Sequence, residues 1–318
     1  MSLISYVIPV YNNAGSLIPT WEAIRTLFDG PLAGHECEVI FVNDGSKDAS
    51  LEEIRGLAAA DHRIVALSFT RNFGQLAAML AGYRQARGDA IINMSADLQD
   101  PVDLTVEMVS KWQAGCEVVV GYRQEREDSL PARLFSRLAY AAVRSGNREV
   151  PAGGFDFVLM SRNALEVFLS LKGRNRFFQG DVLWAGFPTA FLPYVRRRRT
   201  IGKSQYTFSK KLKLFFDFAL DSSYLPIRAM SFCGALLAFL GLLYAGLIIG
   251  SWALHHTPFN GWAPIMVVLL MTTGALMLML GIIGEYVWRI LDEIKDKPLY
   301  VIDNTFARSE PGTKKQQG

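Results

Sequence analysis

From Ala229 to Gly284 the chain carries no Asp, Glu, Lys or Arg. No other feature constrains the fold as strongly. One membrane span takes roughly 20 apolar residues, so this run is too long for one span and suits two. His255-His256-Thr257-Pro258-Phe259-Asn260-Gly261-Trp262 interrupts it and reads as the turn. The expectation is a segment 226–290 holding two transmembrane helices, about 229–254 and 263–288, with a tail at 291–318. Gly234, Ala238, Gly241, Ala245, Gly246 and Gly250 place small residues at helical spacing in the first span. Such stripes let helices approach closely, within the hairpin or in a homo-oligomer through the transmembrane helices.

The net charge of +3 is small, but its distribution is informative. Arg196 to Arg199, Lys203, Lys210, Lys211, Lys213 and Arg228 precede the apolar run, and Arg289, Lys295 and Lys297 follow it. By the positive-inside rule the N-terminal domain and both termini face the cytoplasm. Met1 leads directly into a globular pattern with no signal peptide. Cys37, Cys116 and Cys233 are scattered, with neither metal spacing nor disulfide logic, which fits a reducing compartment.

Residues 1–225 read as a globular domain. Ser5 to Val10, Glu38 to Val42, Arg63 to Phe69, Ala90 to Ile92 and Val118 to Gly121 are apolar runs of strand length. Helical spacing separates them at Ser16 to Phe28, up to Ala60, and at Gln75 to Arg87. Strand–helix alternation of this kind gives an α/β fold with a mostly parallel sheet. Each strand ends in a polar cluster: Tyr11-Asn12, Asn43-Asp44, Arg71-Asn72, Asp97 to Gln99, and Arg123. In open α/β sheets ligands bind at the carboxyl ends of strands, so one rim carries the chemistry.

The fourth strand runs into Asn93-Met94-Ser95-Ala96-Asp97-Leu98-Gln99-Asp100-Pro101. Two readings fit this stretch. Asp97, Gln99 and Asp100 offer the hard oxygens that Mg²⁺ or Mn²⁺ uses when bridging to phosphates. Alternatively, the carboxylates cap a helix beginning near Pro101. No Gly-x-Gly-x-x-Gly or P-loop pattern follows the first strand, which argues against a dinucleotide fold or a P-loop NTPase. No serine nucleophile elbow is present, the four histidines form no ligand cluster, and no nucleic-acid partner is expected. Two stretches, about 130–145 and 207–223, are basic and amphipathic, as helices lying on membrane lipids are.

The motifs carry a resemblance. Val7-Ile8-Pro9-Val10-Tyr11-Asn12, Val42-Asn43-Asp44-Gly45-Ser46-Lys47-Asp48, Arg71-Asn72-Phe73-Gly74, Gly88-Asp89-Ala90-Ile91, Ala96-Asp97-Leu98-Gln99-Asp100-Pro101 and Gly202-Lys203-Ser204-Gln205-Tyr206-Thr207 resemble the family 2 inverting glycosyltransferases of GT-A fold. Within them the set is similar to the polyprenyl-phosphate glycosyltransferases, including dolichol-phosphate mannose synthase and bacterial enzymes acting on undecaprenyl phosphate.

The resemblance implies a nucleotide-sugar donor, a polyprenyl-phosphate acceptor, Mg²⁺ or Mn²⁺ as cofactor, and a multi-pass protein of the bacterial inner membrane. It also implies roles by position. Pro9, Tyr11, Asn12 and Asp44 would hold the nucleotide, with Arg71 and Asn72 nearby. Asp97 would bind the metal with Gln99 as helper, Ser95 standing where the family's motif has its first Asp. Asp156 matches an acid on the acceptor side, and Arg123 and Arg137 match phosphate-contacting arginines. Arg199, Lys203, Ser204 and Tyr206 fall in an acceptor loop, where Lys203 and Gln205 depart from the usual Glu and Lys. A UDP-sugar, for example UDP-glucose, is the expected donor. A processive polysaccharide synthase and a non-catalytic membrane scaffold of the same fold are the competing readings.

Overall fold

The computed structural model describes residues 1–123, 155–173, 176–195, 263–295 and 297–307, with isolated helical positions between 232 and 250. The chain divides into two compact units, Met1–Phe208 with Lys297–Gly318, and Ser209–Asp296.

The first unit is built on a sheet whose described strands are β1 (Leu3–Val10), β2 (Glu36–Asn43), β3 (Ile64–Phe69), β4 (Ala90–Asn93), β5 (Val118–Arg123), β6 (Phe157–Ser161), β7 (Thr189–Tyr194) and β8 (Ile302–Ala307). Their spatial order is β7-β5-β6-β4-β1-β2-β3-β8. The strands β4, β1, β2 and β3 are mutually parallel. Only β6 and β8 run against their neighbours. Reversal across β6 restores direction, so β5 and β7 point the same way as β4. The carboxyl ends of β1 to β5 and β7, and the amino end of β6, therefore share one rim.

Helices α1 (Leu17–Phe28), α2 (Ser50–Ala60), α3 (Gln75–Gln85) and α4 (Leu104–Gln113) connect these strands, followed by α5 (Arg162–Ser170) and α6 (Phe178–Trp184). Side chains alternate across each strand. Ile4, Tyr6, Ile8 and Val10 pack with Leu17, Trp21 and Ile24 of α1 and with Met108 and Val109 of α4. The other face presses on α3, where a Cβ on Gly82 would run into Val7. Both faces are covered, which is why β1 to β5 read as continuous apolar runs.

At the rim opposite the polar clusters, buried Glu38 accepts from the Ser5 hydroxyl at 2.6 Å and from Arg87 Nε at 2.8 Å. Gly88 fits there only without a side chain, since a Cβ would lie 2.6 Å from Ser5 Oγ and 2.8 Å from the Leu3 carbonyl. The Gly88-Asp89 motif is thus a fold device: Asp89 Oδ2 accepts the Leu3 N–H at 2.9 Å.

Strands β6, β7 and β8 do not stand out in the sequence. In β7, Pro193 and half-exposed positions weaken the pattern. The polar segment Ile302–Ala307, read from sequence as tail, is an edge strand antiparallel to β3.

In the second unit, α7 (Ala263–Ile294) contains a stretch, Met271–Trp288, long and apolar enough to cross a membrane, none of it buried. Large apolar side chains such as Ile265, Met271, Leu280 and Ile294 stand exposed along it. The described positions of the first expected span, from Phe232 to Gly250, are helical. The two amphipathic stretches and the turn at 255–262 lie outside the described residues.

Candidate active site at the strand ends

The site begins with a proline. Val7, on the β4 side of β1, accepts the Met94 N–H at 3.3 Å, and the β1–β4 register ends at Val7↔Asn93. Pro9 has the same parity and would face β4, but has no N–H to give. On the other side β1 continues to pair with β2 through Val10↔Asn43. The ladder therefore opens between β1 and β4. That is also where the winding direction of the sheet reverses, the position at which ligands bind in open α/β sheets.

On one side of this crevice lie the loops after β1, β2 and β3. Asn12, with φ of 53°, accepts the Lys47 N–H at 2.9 Å and donates its own N–H to Ser46 Oγ at 3.0 Å. Tyr11 donates its N–H to Asn13 Oδ1 at 3.0 Å and is half-buried. Asp44 is 2 % exposed, and its carboxylate accepts the N–H groups of Phe73 at 2.6 Å and Gly74 at 2.9 Å. Burial raises its pKa, an effect partly opposed by those two bonds. Asn72 donates to the Asp44 carbonyl at 3.2 Å, and the Arg71 guanidinium lies 4.5 Å over the Phe73 ring. Asp44 thus builds the Arg71–Gly74 loop.

Gly45 makes that closure possible. Its φ is +67°, and a Cβ there would lie 2.5 Å from the Arg71 carbonyl carbon and 2.6 Å from the Asn72 nitrogen. Gly45→Ala should cost about 2–4 kcal/mol of stability, from strain plus backbone overpacking. Thermal unfolding checks this, and an unchanged melting temperature would contradict the close approach.

The loop after β4 occupies the centre. Asp97 is 4 % exposed, and its Oδ1 accepts the Gln99 N–H at 3.2 Å across Leu98, which has φ of 56°. The Ala96 carbonyl accepts from Ser16 Oγ at 2.7 Å, tying the loop to the start of α1. Asp100 differs from Asp97. Its Oδ2 accepts from the Ser95 N–H at 3.0 Å and the Ser95 hydroxyl at 2.6 Å, and its Oδ1 from the Tyr194 hydroxyl at 2.7 Å. Asp100 does not cap the next helix: α4 begins at Leu104, and Asp100 bonds back to Ser95 and to Tyr194 of β7. Asp100→Ala should lower stability by about 3 kcal/mol, because one buried donor and two part-buried ones lose their acceptor. Chemical denaturation measures it; a loss under about 0.5 kcal/mol would show the lock to be dispensable.

On the far side of the crevice, Asp156 enters at the amino end of β6. Its side chain is half exposed, with Arg123 Nη2 of β5 3.9 Å away. Asn93 donates to the Asp156 carbonyl at 2.6 Å, and Gln179 to the Phe155 carbonyl at 3.0 Å. Tyr194 joins Asp100 to Arg123. Burial raises the Tyr194 pKa, with the Asp100 charge adding and Arg123 opposing. Burial penalises the Arg123 charge, but the Tyr194 hydroxyl and the Asp156 and Asp100 carboxylates outweigh it and raise the pKa of the guanidinium. Sequence reasoning missed Asn93 and Tyr194. An amide closing the apolar run Ala90-Ile91-Ile92 was the available signal for Asn93; Tyr194 gave none. Arg137, Arg199, Lys203, Ser204 and Tyr206 lie outside the described residues.

Among the described residues no group of three or more His, Cys, Asp or Glu side chains could hold a metal ion. Asp97 and the Gln99 amide remain as a sparse oxygen set. That set fits a cation bound through one carboxylate and completed by substrate phosphates and water, the usual mode for Mg²⁺.

A mostly parallel sheet wound in this order, with its polar loops gathered at a central crevice, defines a GT-A type transferase architecture. The family model for glycosyl transferase family 2 matches residues 5–169, and the chain belongs to that family. It is 36% identical over 304 residues to the uncharacterized glycosyltransferase YkcC of Bacillus subtilis, covering 95% of this chain and 94% of the relative. It is 34% identical to the SfII prophage-derived bactoprenol glucosyl transferase of Shigella flexneri, over 94% of this chain and 97% of that one. A prophage bactoprenol glucosyl transferase homolog of Escherichia coli K12 is 33% identical, over 94% and 98%.

Proposed function

We propose that the chain transfers one sugar from a nucleotide sugar, UDP-glucose in the first instance, to a polyprenyl phosphate such as undecaprenyl phosphate, with inversion at the anomeric carbon. The observation that carries the reading is the strand order. The loops of β3, β2 and β1 gather the residues assigned to the nucleotide, β4 brings Asp97 and Gln99 to the middle, and β6 and β5 bring Asp156 and Arg123 to the other side. The bactoprenol glucosyl transferase names of full-length relatives support the acceptor class.

The nucleotide lies across Pro9, Tyr11, Asn12 and the Asp44-braced loop carrying Arg71 and Asn72. Asp97 and Gln99 hold Mg²⁺ or Mn²⁺. A cation held there would supply charge neutralisation to the departing diphosphate. A lipid phosphate is already ionised at pH 7, so the acceptor needs little help from a base. Asp156 orients it or steadies positive charge at the sugar carbon. Arg123 draws in the phosphate, and Arg137, Arg199, Lys203, Ser204 and Tyr206 extend that basic path toward the lipid. Incubating membranes that contain the chain with labelled nucleotide sugars and undecaprenyl phosphate tests the reading. A lipid carrying one sugar is expected; long polymer would favour a processive synthase, and no metal-dependent turnover a scaffold.

The chain sits in the bacterial inner membrane by two spans, with the catalytic domain and both termini cytoplasmic. A cysteine placed at Asn260 should react with an impermeant reagent in intact cells, and one at 310 should not. Cys37 gives little background, because it is buried and burial pushes its thiol up to about 12; Cys116 and Cys233 are replaced. Labelling at 310 with none at 260 would reverse the orientation.

A further inference from the structure

The segment after α7 returns to the sheet and brackets the Arg71–Gly74 loop. Before that loop, the Phe69 ring stacks on Tyr300 with centroids 5.1 Å apart and planes 10° from parallel. Immediately before its first residue, Thr70 donates its N–H to the Val301 carbonyl at 3.2 Å. Beyond it, Arg84 of α3 donates to the Tyr300 hydroxyl at 3.0 Å. Phe69 in turn meets Phe73 edge-on at 5.7 Å, and Phe73 donates its N–H to Asp44. Tyr300 therefore holds the strand before the loop and the helix after it.

Covering an exposed edge strand would account for β8 itself. The ladder runs from Ile302 to Ala307, however, and needs nothing from Tyr300, which lies ahead of it at the rim. We propose that Tyr300 is a positioning residue for the donor. By clamping Phe69 and Arg84 it fixes the Arg71–Gly74 loop, so that the strap leaving the C-terminal apolar helix sets nucleotide affinity. This rests on the assignment of that loop to the nucleotide.

The test uses the purified full-length chain, titrated calorimetrically with UDP, GDP and CDP in Mn²⁺, together with initial rates at varied donor and varied lipid phosphate. With the nucleoside diphosphate that binds the parent protein, Tyr300→Ala should weaken binding and raise the donor KM about threefold to tenfold, the scale of one aromatic stack. The lipid KM and kcat should stay unchanged. Tyr300→Phe, which keeps the ring, should restore most of the affinity. A Tyr300→Ala protein that melts lower yet binds as the parent does would overturn the inference and leave the strap as an edge cover. Loss of kcat and lipid use together would also overturn it, as general damage to the fold. Failure of the parent chain to bind any of the three nucleotides would instead sink the donor assignment and the inference with it.

Discussion

Asp97→Ala should abolish sugar transfer while the protein stays folded and membrane-bound. Asp97 is the carboxylate of the central loop assigned to the metal in the proposed function, with Ser95 standing in place of a second acid and Asp100 bonded to Ser95 and Tyr194. The side chain accepts the Gln99 N–H within its own loop and lies at the rim, outside the apolar core cluster, so its removal leaves the core of the sheet in place. Loss of the charge that holds a leaving-group cation should cost several kcal/mol of transition-state stabilisation, a rate drop on the order of 10³ or more. Initial rates in Mg²⁺ and in Mn²⁺ measure it. Full activity in either ion would falsify the metal assignment.

Asp156→Asn separates the two sides of the crevice. The side chain lies next to Arg123, across β4 from the loops assigned to the nucleotide, and its backbone is pinned by Asn93. Donor affinity should therefore change little. Turnover should fall by a factor on the order of 10² or more, as when one preorganised charge acting mainly in the transition state is lost. Arg199→Ala should behave in another way, weakening use of the lipid phosphate by about 2 kcal/mol for a lost charge-assisted pair and sparing the donor. Calorimetry with the nucleotide, beside rates at varied lipid, distinguishes them. If Asp156→Asn lost donor binding as severely as Asp97→Ala, the two-sided arrangement would be wrong.

The parallel part of the sheet was legible because it is buried on both faces, which leaves unbroken apolar runs such as Val39 to Val42 and Ala90 to Ile92. The polar cluster closing each run marked the rim. The division of labour among neighbouring carboxylates was not legible. Asp97 and Asp100 look alike in sequence, and only the fold brings Tyr194, 94 positions away, onto Asp100. Asp156 reaches the rim because β6 runs backwards, which its five residues do not announce. The strand β8 escaped for a different reason: an edge strand buries little, so Asp303, Asn304 and Thr305 read as tail. Pro9 was matched to nucleotide binding by motif, whereas its place in the ladder supplies a physical reason for it, the opening of the crevice.

The most direct test of the account is the product itself. Purified protein, UDP-glucose, undecaprenyl phosphate and Mg²⁺ or Mn²⁺ should yield a lipid whose mass has grown by one hexose, joined to the phosphate with the anomeric configuration opposite to that of the donor. Mass spectrometry and NMR of the extracted lipid read both properties. A lipid bearing a chain of sugars, a retained configuration, or glucose released to water with the lipid unchanged would contradict it.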